Sequence, residues 1–318
     1  MSLSSQPPVA AKPLLLVANQ HDHTLSIIDA DAGKEIAAVP EDGITGHEVA
    51  ASPDGRTAYV PIYGNSGVGK PGTDGNEMVV IDIPSQKVIH RVDFGHGVRP
   101  HAVIYDKHSG MLYVTTELDK AITIIDPKTL EIVGKIPTGQ DESHMFVFSK
   151  DGSKVYTANV GPGTVSVLDV KGRKVIGTIP IAKTTQRISI SRDGKTVFTA
   201  DQVKPRLAMI DTATDKVRGW IDLPAFGYGT ASTIDGHYLL VGSEAVKQVM
   251  VVDLKTNKVV HTIDTPGLPT EIVVRPNGKV AYASCGSSHN VAEIDLSQWK
   301  INKMIAAGDG ADGLAWVE

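Results

Sequence analysis

Three histidines, His47, His101 and His144, occupy equivalent places in the chain, each eight or nine residues ahead of a turn glycine: "GHEVAASPDG", "PHAVIYDKHSG" and "SHMFVFSKDG". Imidazole nitrogen is a good ligand for Cu, Fe, Zn or Ni. Three such groups converging on one point leave open positions for water or substrate. The pattern therefore points to a mononuclear divalent transition metal, its identity open among those four. The same histidines have a second possible use, hydrogen bonding to neighbouring backbone or ordered water.

Carboxylates fall near this level. Glu48, Glu117, Asp141, Glu142, Glu271 and Asp312 all lie close to strand ends in the same register, with Glu48 and Glu142 the candidates for general base. Arg187, which can orient substrate, and Tyr228 complete the candidate catalytic set. Arg99, His96, Gln186, Glu271 and Asp312 are the candidate substrate-binding residues, the arginines suited to an anionic group. His21 and His23 in "QHDH" read as part of an exposed polar loop, and Cys285 as a small buried residue. "GNSGVGKPGTDG" lacks the Gly-Lys-Ser/Thr ending of a phosphate loop, and no Gly-x-Ser-x-Gly elbow is present.

Bringing these side chains together is the task of a repeat. Seven segments, from "HTLSIID" to "NVAEID", end in Asp29, Asp82, Asp126, Asp169, Asp211, Asp253 and Asp295. In phase with them run "SPDG", "KHSG", "SKDG", "SRDG", "TIDG" and "RPNG", each followed by a β-rich run. Asp-Gly and Asn-Gly supply the positive φ of a tight hairpin, and the strand-end aspartates can accept a local backbone bond. Each unit thus reads as four antiparallel strands, A to D. For one unit these are "HMFVFS", "KVYTANV", "TVSVLDV" and "KVIGTIPI".

Four short strands per 40–45 residues is the signature of a propeller blade, and seven units fit a closed ring. The chain ends after one inner strand, "GLAWVE", while the strands missing from that blade, "KPLLLVANQ", "HTLSIIDAD" and "KEIAAVPED", stand at the other end. Pairing the termini removes two exposed sheet edges. The expected fold is all-β, a seven-bladed β-propeller over residues 12–318 closed by N-terminal strands on the C-terminal strand, with a flexible tail at 1–11. Strand A lies innermost, so its first residue faces the channel mouth. The register places His47, His101, His144, Gln186, Tyr228, Thr270 and Asp312 there, at intervals of 43, 42, 42, 42 and 42 from His101 onward. The first interval is 54 because residues 64–76 lengthen one B–C loop on this face.

The net charge is −5 with no long basic run, which argues against nucleic acid or an anionic membrane as partner. No run of about 18 apolar residues is present, so no membrane span is expected. One cysteine excludes an internal disulfide.

"VANQHDHTLSIID", "YTANVGPGTVSVLD" and "YVTTELDKAITIID" resemble the YVTN-repeat, or YncE-like, seven-bladed propellers over residues 12–318. That resemblance implies an exported, periplasmic or extracellular protein and leaves activity open; a monomer is expected. Lactonase-type propellers carry a similar Pro-His at this place, and the copper propellers of nitrous oxide reductase and thiocyanate dehydrogenase use histidines at the channel end. The functional expectation is a metal-dependent enzyme acting on a small substrate, anionic ones included, by hydrolysis, lyase chemistry or oxidation. The alternative is a non-catalytic propeller that binds a small ligand or, on its top face, a protein.

Overall fold

The computed structural model describes residues 12–65 and 67–317, and the tail expected at 1–11 lies outside the described residues. The chain forms seven four-stranded antiparallel sheets. Each inner strand touches the inner strands of both neighbours, the last touching the first, so the blades form a closed ring. In the third blade the strands are Ser143–Phe148, Lys154–Asn159, Thr164–Asp169 and Lys174–Pro180, within a residue or two of the runs read from the sequence. The ring closes as expected. Ala311–Val317 pairs with Leu14–Asn19, with Leu14 opposite Val317, and Thr24–Asp29 and Lys34–Pro40 complete that blade.

Turn chemistry holds each blade in register. The glycines of the A–B turns, Gly55, Gly110, Gly152, Gly194, Gly236 and Gly278, all have φ between +68° and +77°. A β-carbon is costly in that conformation, so glycine is the residue of choice. Each strand-end aspartate accepts a backbone N–H two or three residues on, as when Lys255 donates to Asp253 at 2.7 Å and Ser297 to Asp295 at 2.7 Å. The remaining five do the same.

The core is divided among the blade interfaces. One apolar cluster lies between each pair of neighbours: Leu16, Leu25 and Ile27 of the closing blade meet Val60, Val79 and Ile81 of the first. The cluster Leu240, Val249, Val251, Ala281, Ala283 and Ile294 joins the fifth to the sixth. Such buried side chains contribute roughly 1.5–3 kcal/mol each when fully removed from water. Blades are therefore held face to face, and the channel axis is left to polar side chains.

Candidate functional site

An extra residue in the inner strands sets which side chains reach the axis. Pro100 pairs with Thr116 and Val103 with Val114, so His101 and Ala102 share one partner position. The same step falls at His144, at Gln186–Arg187, at Thr270–Glu271 and at Asp312–Gly313. A bulge of this kind bends the strand and re-aims its side chains. Here it delivers two consecutive residues toward the channel, giving an upper and a lower tier.

All seven upper positions, His47, His101, His144, Gln186, Tyr228, Thr270 and Asp312, line one cavity of about 360 Å³ at the channel mouth. Gln20, Tyr63, Glu244, and Gly67 and Val68 of the long B–C loop, line it too. Two clefts of about 890 and 810 Å³ at the opposite face are larger. They are lined by turn aspartates such as Asp193, Asp235, Asp253 and Asp295, which are already bonded within their own turns. The smaller cavity is the one on which titratable groups converge.

The histidines form a contiguous group. Ring centres are 5.2 Å apart for His47 and His101 and 3.5 Å for His101 and His144, the latter pair tilted by 33°. Tyr63 packs against all three rings, at 4.9, 5.2 and 6.0 Å. Burial pulls the His47 imidazole down to about 4; Asp312 opposes this, and His144 and Arg187 add to it. Burial, then His144 and His47, hold His101 well below the usual histidine range. Both rings are therefore neutral at pH 7, the form that ligates metals.

Glu117 anchors the third ring. Its carboxylate accepts from His144 Nδ1 and, through the other oxygen, from the Tyr63 hydroxyl at 2.8 Å. A carboxylate only accepts, so a proton sits on His144 Nδ1 and Nε2 is the nitrogen left for a ligand. The amide nitrogen of Gln20 lies 3.2 Å from His47 Nδ1 and donates to Asp312. His101 Nδ1, by contrast, is buried with no partner.

Two imidazoles sharing a tetrahedral metal through bonds of ~2.0–2.1 Å hold their ring centres about 5 Å apart. The His47–His101 spacing matches this, whereas His101 and His144 are stacked too closely. Among the described residues, no three His, Cys, Asp or Glu groups stand as an assembled cage. With His144 tied to Glu117, His101 is the ring left to re-aim, and its orphaned nitrogen is the atom that gains by doing so.

Arg187 forms the floor. Only 3% of its side chain is exposed, and it donates to Glu48 at 2.5 Å, Glu271 at 2.7 Å and Asp312 at 3.0 Å, each on a different blade. Its ring partner is Tyr228, 5.0 Å from guanidinium to centroid. Burial opposes the Arg187 charge but is outweighed by Glu48, Asp312 and Glu271. Burial also raises Glu48 well above the carboxylate range and Glu271 to about 7, with Arg187 pulling both back. Gly313 makes the layering possible: its N–H donates to the His47 carbonyl at 2.9 Å, and a β-carbon there would lie 2.5 Å from that oxygen.

Several expected roles change. Arg187 does line the cavity, but its charge is committed to three carboxylates and is not offered to an anionic substrate. Glu48, read as a base, lies in the floor bonded to Arg187, and Glu271 is beside it. Arg99 is turned away from the cavity: it donates to Asp74 at 2.6 Å and to the Lys70 carbonyl at 2.8 Å, pinning the long loop. Glu142 shares with Arg99 a separate cavity of about 430 Å³, and His96 is a mostly exposed partner of Asp119 at 2.8 Å. Tyr228, Gln186 and Asp312 are where the register put them. Cys285 is buried, and burial pushes its thiol up to about 11. Sequence reasoning missed Tyr63, Gln20 and Glu244, which come from B strands and B–C turns, outside the inner-strand register.

One acid near the site lies off the axis. Glu41 is fully buried in the loop leading to His47; it accepts the Gly46 N–H at 3.1 Å and leaves Oε1 unpaired. Burial raises it from 4.5 to about 7, against the pull of the Gly46 N–H and Arg91. A carboxyl raised in the folded state stabilises fully below its unfolded value and loses that contribution as pH rises through the folded one. Glu41→Gln is therefore expected to gain on the parent protein between pH 5 and pH 8, by up to about 3 kcal/mol, in urea unfolding. A gap independent of pH would contradict this.

No protein-family model matches the sequence, and no curated protein matches it. Among solved structures, the chain is similar to the hydrazine synthase of Kuenenia stuttgartiensis, with TM-score 0.76 and 21% identity over 89% of this chain and 92% of that one. It is also similar to the dihydro-heme d1 dehydrogenase NirN in complex with DHE, with TM-score 0.68 and 16% identity over 98% and 77% of the two chains. A functionally unknown protein from Desulfotomaculum acetoxidans DSM 771 gives TM-score 0.78 and 13% identity over 96% and 99%. At these identities the likeness is one of fold, and the fold shown is the seven-bladed β-propeller.

Proposed function

We propose that the channel mouth holds one divalent transition metal through His47, His101 and His144, and that the protein is a metal-dependent enzyme acting on a small polar substrate in the cavity above Arg187. The observation that carries this is the pairing of two neutral imidazoles, the buried His101 and the partly buried His47, with a third whose proton is fixed by a buried carboxylate. The buried His101 Nδ1 without a hydrogen-bond partner costs stability, and a ligand role gives that cost a use. A metal bound there supplies Lewis-acid activation of water or substrate, or oxidation if it is redox-active. The chain's own part is positional. Glu117 orients His144, Gln20 and Asp312 orient His47, and the Arg187 cluster closes the channel beneath the site. Asp312 and Glu244 are the carboxylates that line the cavity wall.

Co(II) titration of chelator-treated protein tests this. One equivalent is expected to saturate a visible spectrum typical of nitrogen ligation, and Glu117→Gln is expected to weaken binding by about 10–100-fold, as outer-sphere carboxylates on ligating histidines do. Absence of saturable uptake would overturn the proposal. A second reading, a non-catalytic ligand-binding propeller of the YVTN or YncE-like kind, draws on the close stacking of His101 on His144. Saturable ligand binding without metal or turnover would select it.

A further inference from the structure

Charge is unevenly distributed around the cavity. The histidines and Tyr63 occupy the side of the first three blades, whereas Glu244, Thr270 and Asp312 stand on the opposite wall, contributed by the fifth to seventh blades. Among the described residues the only Lys or Arg lining the cavity is Arg187, and its charge is answered by Glu48, Glu271 and Asp312 together. Glu244 is different from those three. Its Oε1 accepts one bond, from the Thr270 hydroxyl at 3.1 Å, and no other donor among the described residues reaches its carboxylate.

We propose that this wall binds a small primary amine as its ammonium ion, with Glu244 as the main partner. The proposal rests on the reading of the channel mouth as a ligand site and adds the class of ligand. An ammonium brings three N–H donors and no acceptor, and the wall offers oxygens on Glu244, Asp312 and Ser287. A carboxylate ligand meets the reverse situation: two like charges in the wall and a guanidinium already engaged. Leu268 and Val68 give a short alkyl chain apolar contact, and about 360 Å³ accommodates a molecule of a few heavy atoms beside the histidines. Burial raises Glu244 above the ordinary glutamate range, so a cation beside it relieves an existing cost.

The test is calorimetric titration of protein kept in chelator and phosphate buffer, free of amine, with n-butylamine, 1-butanol and butyrate. Saturable binding of butylamine is expected, at least tenfold tighter than butanol, with no binding of butyrate. Glu244→Gln, an isosteric change at a half-buried position, should weaken butylamine at least tenfold and leave butanol unchanged, with melting behaviour confirming the fold. Butyrate binding as tight as butylamine, no butylamine binding, or an unchanged affinity in Glu244→Gln would each overturn the proposal. Because the measurement is made without metal, a failure of the three-histidine site leaves it readable. Loss of amine binding alone, in turn, leaves Co(II) uptake intact.

Discussion

Replacing Arg187 with methionine is expected to cost about 3–5 kcal/mol of unfolding free energy at pH 7, because it leaves three buried carboxylates without their shared cation. The guanidinium is 3% exposed and bridges Glu48, Glu271 and Asp312, which come from three blades, so its loss acts on the ring as a whole. The sign of the pH dependence follows from the same residues. Burial raises Glu48 and Glu271 in the folded state, and Arg187 restrains that rise. Without Arg187 they rise further, so the variant is penalised most where they must ionise and least where they are protonated. The deficit in urea unfolding should therefore grow between pH 7 and pH 9, above the value of about 7 at which Glu271 ionises when Arg187 is present. An Arg187→Met protein as stable as the parent at pH 7, or equally destabilised at both pH values, would show that the floor is not an electrostatic clamp.

His101→Phe should separate stability from ligation. The imidazole stacks on His144 and its buried Nδ1 has no partner, so the metal-free protein gains little from the nitrogen. A phenyl ring keeps the stack and removes an unsatisfied polar atom, a change worth about 1–3 kcal/mol in favour of the fold if the ring is accommodated. Metal affinity is expected to fall more than 100-fold, beyond the loss typical of an outer-sphere partner. The combination of equal or greater stability with lost ligation marks a residue retained for function. A destabilised His101→Phe protein with unchanged Co(II) affinity would instead make the ring part of the core.

Much of this architecture was legible in the sequence because its signals are local and repeated. Asp-Gly turns, strand-end aspartates and a 42-residue period specify the blades, and the split between "GLAWVE" and "KPLLLVANQ" reveals the closure. The register also brought His47, His101, His144, Gln186, Tyr228, Thr270 and Asp312 to one level, and the structure places them around one cavity. What the period does not encode is the bulge at those positions. It brings Arg187 and Glu271 to the axis along with their neighbours, and turns residues read as base and anion binder into a closed salt-bridge cluster. A charge at the position after the ring residue in three repeats, Glu48, Arg187 and Glu271, and glycine at 313 in a fourth, were the available signs of a second tier. Arg99 and Glu142 departed from expectation for a local reason: both take positive φ, +50° and +52°, just before their inner strands, and they meet at the neighbouring cavity. Tyr63 and Glu117 belong to adjacent blades, so their contact with His144 depends on blade packing that no repeat period reports.

The most direct measurement of the central claim is metal content by elemental analysis, on protein purified without affinity-metal resin, beside the His47→Ala/His101→Ala/His144→Ala variant. A three-histidine metal site requires close to one equivalent of a single transition metal in the parent protein, or after its reconstitution, and none in the variant. A parent protein that retains no stoichiometric metal even after reconstitution, or a variant that retains as much as the parent, would contradict it.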